Sequence, residues 1–187
     1  FLSGYQKATP PITSPRAELG FNIGDDYQLA NYTQLSNYWR KLARESDRMK
    51  VVEHGKTSEG RPMLMAIITA PENHKRLDHF KEISKRLALA EGLSDEQAHA
   101  LAAEGKAVVW IDAGLHASEV ANAQSLTEMV YQMLVRSDPE TLRILRDVIF
   151  LAAFSNPDGL ELVADWYMRE KEPTKRSMAN LPVLYQK

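Results

Sequence analysis

Two apolar runs constrain this chain more than anything else in it. Residues 107–112 (AVVWID) and 148–154 (VIFLAAF) lack the polar alternation of a strand that shows one face to water. Runs of that kind belong to strands covered on both faces, the situation of central strands in α/β sheets. The stretches around them follow a helical period instead. Leu35, Tyr38, Trp39 and Leu42 recur at i, i+3, i+4 and i+7 behind Thr33, which predicts a capped helix over residues 34–45. Leu77, Phe80, Ile83 and Leu87 predict another over 74–90. Strands alternating with amphipathic helices predict an α/β domain, its mixed sheet covered by helices on both faces.

Punctuation fills in the order of elements. Val51 and Val52, the turn KTSEGRP and the run MLMAIITA predict a β-hairpin. Ser94 with Gln97 three residues on is a capping-box pattern for a short helix that Gly105 ends. Residues 119–135 continue from the first apolar run as a helix, and Asp138-Pro139 opens a further one. After the second run comes the turn SNPDG, and LELVADWYMRE is helical in period. Residues 1–30, with Pro10, Pro11 and Pro15, are expected to be an extended lead-in, and 31–187 to form one domain.

Composition excludes several classes of function. A net charge of −2 leaves no basic footprint, so a nucleic-acid partner has no support. No apolar run approaches the ~20 residues that cross a bilayer, so no membrane partner is expected. The absence of cysteine removes disulfides, thiol nucleophiles and cysteine-type zinc sites together. No signal peptide is visible in a chain that opens on Phe1.

A histidine followed three residues later by a glutamate occurs twice, and the contexts differ. His79 and Glu82 fall mid-helix on the face opposite Leu77, Phe80, Ile83 and Leu87, among Asp78, Lys81, Lys85 and Arg86, where a pair is a solvated surface contact. His116 and Glu119 follow the end of an apolar strand, and ligands of α/β sheets gather outside the carboxyl ends of strands. Gly114 permits the turn off that strand. Imidazole with carboxylate suits Zn²⁺. A glutamate at a helix start is also favourable with no metal, so location alone leaves helix capping and metal ligation both open. SNPDG would lie near the same edge if the two apolar strands are neighbours.

Three ordered blocks take the reading further. GKTSEGRPM (residues 55–63), VVWIDAGLHASEVANAQSLTEMV (108–130) and FSNPDGLELV (154–163) resemble the zinc carboxypeptidases of the M14 peptidase family. Order, spacing and context agree across roughly residues 31–170. The resemblance implies a mixed eight-stranded sheet between helices, of which this chain would hold the first part, so that the domain here would be incomplete. It implies that His116 and Glu119 are two ligands of one Zn²⁺, and that the complete enzyme removes C-terminal residues from peptides and proteins. It also implies a secreted or periplasmic location. Ser118 stands where digestive members carry an arginine between the ligands, which suggests a divergent, bacterial-type member.

The family's third zinc ligand is a histidine further along, followed later by its catalytic glutamate, yet no histidine follows His116 in this sequence. These residues are therefore expected to be the N-terminal part of a longer enzyme, inactive alone and holding zinc weakly. Arg169 follows the Asn-Pro-Asp-Gly turn at a distance similar to that of the family's oxyanion-binding arginine, and equally fits a surface position on a helix. Two alternatives accompany this reading: a zinc-dependent deacylase of the aspartoacylase type, and a non-catalytic domain that kept the fold. A truncated sheet would expose an edge, so self-association is expected.

Overall fold

The computed structural model describes residues 11–179 and 181. Its centre is a four-stranded mixed sheet in the order β1-β2-β4-β3. Strands β1 (Met49–Lys56) and β2 (Pro62–Ile68) form the expected antiparallel hairpin, with a register shift between Glu53 and Gly55. Strand β2 runs antiparallel to β4 (Val148–Phe154), and β4 runs parallel to β3 (Ala107–Ala113).

The helices are α1 (Pro15–Leu19), α2 (Tyr32–Glu45), α3 (Pro71–His74), α4 (Leu77–Leu89), α5 (Asp95–Glu104), α6 (Ala121–Val135), α7 (Pro139–Asp147) and α8 (Pro157–Met168). Successive residues of β2 and β4 point to opposite faces, and the helices divide accordingly. Ala66, Ile68, Phe150, Ala152 and Phe154 face the main core, where α2, α6 and α8 contribute Leu35, Trp39, Leu126, Val130 and Val163. Ile67, Ile149 and Leu151 face a smaller cluster with Phe80 and Ile83 of α4. The expected helical cover on both faces is present.

Several local expectations are corrected. Helix α2 starts earlier than Thr33 allows, because Asn31 caps it: the Asn31 side chain accepts from Gln34 N–H and Gln34 returns the bond to Asn31 N–H. Thr33 is held by Glu161 of α8 through both its N–H (2.8 Å) and its hydroxyl (2.7 Å). The helix expected over 74–90 is α4, which begins at Leu77, and a separate single turn, α3, ends at His74. Asn73 donates to the carbonyls of Leu145 (3.2 Å) and Arg146 (3.0 Å), which pins the single turn of α3 against the end of α7. The lead-in is not extended throughout, because α1 forms behind the Ser14 cap and ends on Gly20 at φ +85°. Residues 1–10 lie outside the described residues.

The cover also stops short at β3. Val108, Val109 and Trp110 are 48%, 37% and 54% exposed, against the expectation of a strand buried on both faces. Among the described residues strand β3 has a neighbour on one side only, and α5, which leads into it, packs on α4 instead. No helix among the described residues is long and apolar enough to cross a membrane.

Candidate metal centre

Parallel pairing brings the two carboxyl strand ends together. Ala113 pairs with Phe154 at the last rung, and Ser155 N–H then donates to the Ala113 carbonyl at 2.9 Å. The Ser155 hydroxyl reaches the Asp112 carboxylate at 2.8 Å. The loop before α6 and the SNPDG turn before α8 therefore leave the sheet side by side, as expected for neighbouring strands. Gly114 makes the exit in the left-handed region (φ +72°), where a side chain would also press on Leu160.

His116 and Glu119 stand at the ends of one tight turn, closed by Glu119 N–H on the His116 carbonyl at 2.9 Å. That turn puts both side chains on one side, and His116 Nδ1 lies 3.1 Å from Glu119 Oε1. With a proton on Nδ1 the approach is a hydrogen bond. Two donors of one tetrahedral zinc, each at about 2.1 Å, would be about 3.4 Å apart. The pair thus fits two positions around a shared ion with little movement. Among the described residues no cluster of three or more histidine, aspartate or glutamate side chains forms, so the donors present are short of the three protein ligands of a catalytic zinc. Both side chains are open to solvent, at 66% and 56% exposure.

The capping alternative turns on the start of α6. Helix α6 begins after Val120, which makes no side-chain cap, and Glu119 lies one residue before it. The Glu119 carboxylate takes the Asn122 amide, in the first turn of α6, at 3.2 Å and faces His116.

Support for the loop comes from behind. Asn156 caps α8 by accepting from Gly159 N–H (2.9 Å), and its Nδ2 donates to the Leu115 carbonyl (3.3 Å), next to His116. Gly159 is required by close approach, because a Cβ there would come within 2.8 Å of Ala117 Cβ. The β1–β2 turn holds the same end of α8. Arg61 Nη1 donates to Asp158 Oδ1 at 2.6 Å and also pairs with Glu59, whose N–H donates to Asp158 Oδ2 at 3.2 Å. Burial alone would raise the Asp158 carboxyl. The hydrogen bonds from Arg61, Thr57 and Glu59 N–H outweigh that and hold it below the ordinary aspartate range. The sequence blocks contained Arg61 and Asp158, but their opposite charges were the only sign that they meet.

Two other residues fall elsewhere. His79 pairs across the surface with Glu104 of α5 at 2.6 Å and not with Glu82, because α5 packs on α4 there. Arg169 is the exposed C-cap of α8. Thirteen residues of helix carry it roughly 20 Å from Asn156, so the described structure sets Arg169 and His116 at opposite ends of α8.

A model of the zinc carboxypeptidase family, peptidase M14, matches residues 35–181. The chain belongs to this family. Among solved structures, thrombin activatable fibrinolysis inhibitor is similar to it with a TM-score of 0.51 and 13% identity, over 82% of this chain and 30% of that one. Carboxypeptidase A from Helicoverpa armigera is similar with a TM-score of 0.51 and 18% identity, over 78% of this chain and 31% of that one. At these identities the likeness is one of fold, and the chain spans under a third of either structure's length. No curated protein matches it in sequence. As a zinc carboxypeptidase family member, the chain carries its His-x-x-Glu at the carboxyl end of β3, beside the Asn-Pro-Asp-Gly turn at the carboxyl end of β4.

Proposed function

We propose that this chain supplies the first part of a zinc-dependent carboxypeptidase centre, with His116 and Glu119 as two of the metal's ligands. The observation that carries the reading is the 3.1 Å convergence of His116 Nδ1 and Glu119 Oε1, on an exposed turn at the carboxyl end of a parallel strand pair. The remaining protein ligand and the proton-accepting glutamate would come from residues outside those described here. Bound zinc would supply an acidified water and polarise the scissile carbonyl of a peptide's C-terminal bond.

This chain's own residues hold and orient. The imidazole and carboxylate present donors on one side of a turn. Asn122 occupies part of the Glu119 carboxylate and so limits its rotation. Asn156, through Leu115, fixes the backbone from which His116 projects. This proposal assigns no role to Arg169, at the C-cap of α8.

Zinc bound by the protein, measured by equilibrium dialysis with elemental analysis, tests the reading. His116→Ala and Glu119→Gln are each expected to weaken binding more than about tenfold, and His79→Ala to leave it unchanged. Undiminished zinc in His116→Ala would overturn the assignment. Hydrolysis of N-blocked dipeptides beside N-acyl amino acids separates the carboxypeptidase from a deacylase.

A further inference from the structure

The turn that carries His116 is braced by α8, and α8 is braced in turn by the β1–β2 turn. Asp158 lies between two residues at the start of α8 that touch the His116 loop: its cap Asn156 donates to the Leu115 carbonyl, and Gly159 backs directly onto Ala117. Leu115 and Ala117 are the immediate neighbours of His116. Both Asp158 oxygens are taken by the β1–β2 turn, one by the Arg61 guanidinium at 2.6 Å and the other by Glu59 N–H at 3.2 Å. From this chain of contacts we infer that Arg61 is a positioning residue for the His116 turn, acting through Asp158 and the first turn of α8. The functional meaning rests on the proposal that His116 and Glu119 bind metal; the mechanical coupling does not.

A general stabilising role fits the placement less well. Helix α8 is already secured along its length without Arg61. Leu160, Val163 and Ala164 are buried, with Leu160 and Val163 in the main core, Glu161 holds Thr33, and Asp165 takes the Asn31 amide at 2.8 Å. The Arg61–Asp158 pair is separate from those contacts. It acts at the N-terminal turn alone, where the helix meets the site loop. Both partners are sheltered, with side chains 29% and 20% exposed, so their geometry is better fixed than that of an open surface pair. Lys at position 61 could supply the charge but not two fixed directions, towards Glu59 and Asp158 at once.

Native-state amide exchange on the full chain, combined with the ¹⁵N resonances of the His116 ring during Zn²⁺ titration, tests this. The variants are Arg61→Met, Asp158→Asn, the two together, and Arg61→Lys. Exchange at Gly159, Ser155 and Glu119, whose N–H groups report on the Asn156 cap, the Ala113 rung and the His116 turn, is expected to rise about tenfold in Arg61→Met and Asp158→Asn. Reference amides at Leu42 of α2 and Ala98 of α5 are expected to change less than about twofold. The double variant should match the single ones, since both break one unit, and Arg61→Lys should restore part of the effect. Zinc affinity read at the His116 ring is expected to fall about tenfold in the same variants.

Uniform acceleration at all these amides would make Arg61 a general stabilising residue and overturn the inference. Unchanged exchange at Ser155, Gly159 and Glu119 would overturn it as well. His116→Ala separates the two readings. Zinc retained by that variant in equilibrium dialysis, or no zinc response of the His116 ring in the parent chain, removes the metal reading, while the exchange results still decide the role of Arg61.

Discussion

The indole of Trp39 stacks on the ring of Phe154, centroids 4.3 Å apart and planes 29° from parallel. Phe154 is the last residue of β4, one step before the SNPDG turn, so α2 grips the strand where it enters the site. Both side chains are essentially fully buried, and Tyr32 meets the same Phe154 ring edge-on at 5.7 Å. Trp39→Ala is therefore expected to cost about 3–5 kcal/mol in urea unfolding. A loss below about 1 kcal/mol would mean that this stack does not anchor the strand end.

The glycines on either side of the site should resist substitution for different reasons. Gly159→Ala drives a methyl to 2.5 Å from Asn156 Nδ2 and 2.8 Å from Ala117 Cβ, and is expected to destabilise by about 1–3 kcal/mol through overpacking. Gly114→Ala presses first on the Leu160 side chain, and its φ of +72° adds about 1–2 kcal/mol of backbone strain. Unfolding midpoints check both, and neutral substitution at Gly159 would contradict the close approach.

Acid should destabilise the fold in two separable stages. Burial holds His74 below its ordinary 6.5; Lys50 adds to the effect, while the Arg48 backbone and Asp47 oppose it. The unfolded chain therefore takes up this proton first, so the His74 contribution is complete above about pH 6.5 and lost as pH falls through the lower folded value. Asp138 is held at about 2 by the Thr141 N–H and hydroxyl, helped by Arg136. Its contribution is complete above 3.8 and lost as pH falls through about 2. Asp158, Glu104 and Glu140 are also held low and share that second stage. In urea unfolding across pH, His74→Gln should flatten the first stage and Asp138→Asn should lessen the second. An unaltered profile in His74→Gln would refute its part.

Strand β3 is an edge of the sheet with Val108 and Trp110 open to solvent. Unpaired strand groups beside apolar side chains favour pairing with a second copy. Sedimentation velocity is expected to show association that rises with concentration and weakens in Val108→Lys, while the unfolding midpoint changes little. A monomer at high concentration would exclude this edge as a contact.

How far the sequence could be read depended on where each signal lay. Phe80 and Ile83 turn inward as their spacing predicts, and the capping box of Ser94 and Gln97 forms as written, because each is decided within one or two turns. Asn31 and Gln34 carry the same box signal, passed over for the nearby Thr33. The separate turn α3 was not legible, since Asn73 takes its partners Leu145 and Arg146 from some 70 residues away. Apolar content alone could not show that Trp110 lacks a covering layer. Within the candidate site, the His116–Glu119 spacing and the Asn-Pro-Asp-Gly turn were legible as motifs. The Arg61–Asp158 pair was not, because nothing local in either block names the other.

The parallel rung between Ala113 and Phe154 also bears on when this site comes into being during folding. Its two loops are about 40 residues apart along the chain, and α6 and α7 intervene. Unlike the β1–β2 hairpin, this pairing cannot be reached by a local turn, and loop closure must precede its reward. The helices and the hairpin can form while His116 still lies far from Asn156. Chains caught partway could hold most of their secondary structure, and even the local His116–Glu119 turn, before that turn is seated beside the α8 cap.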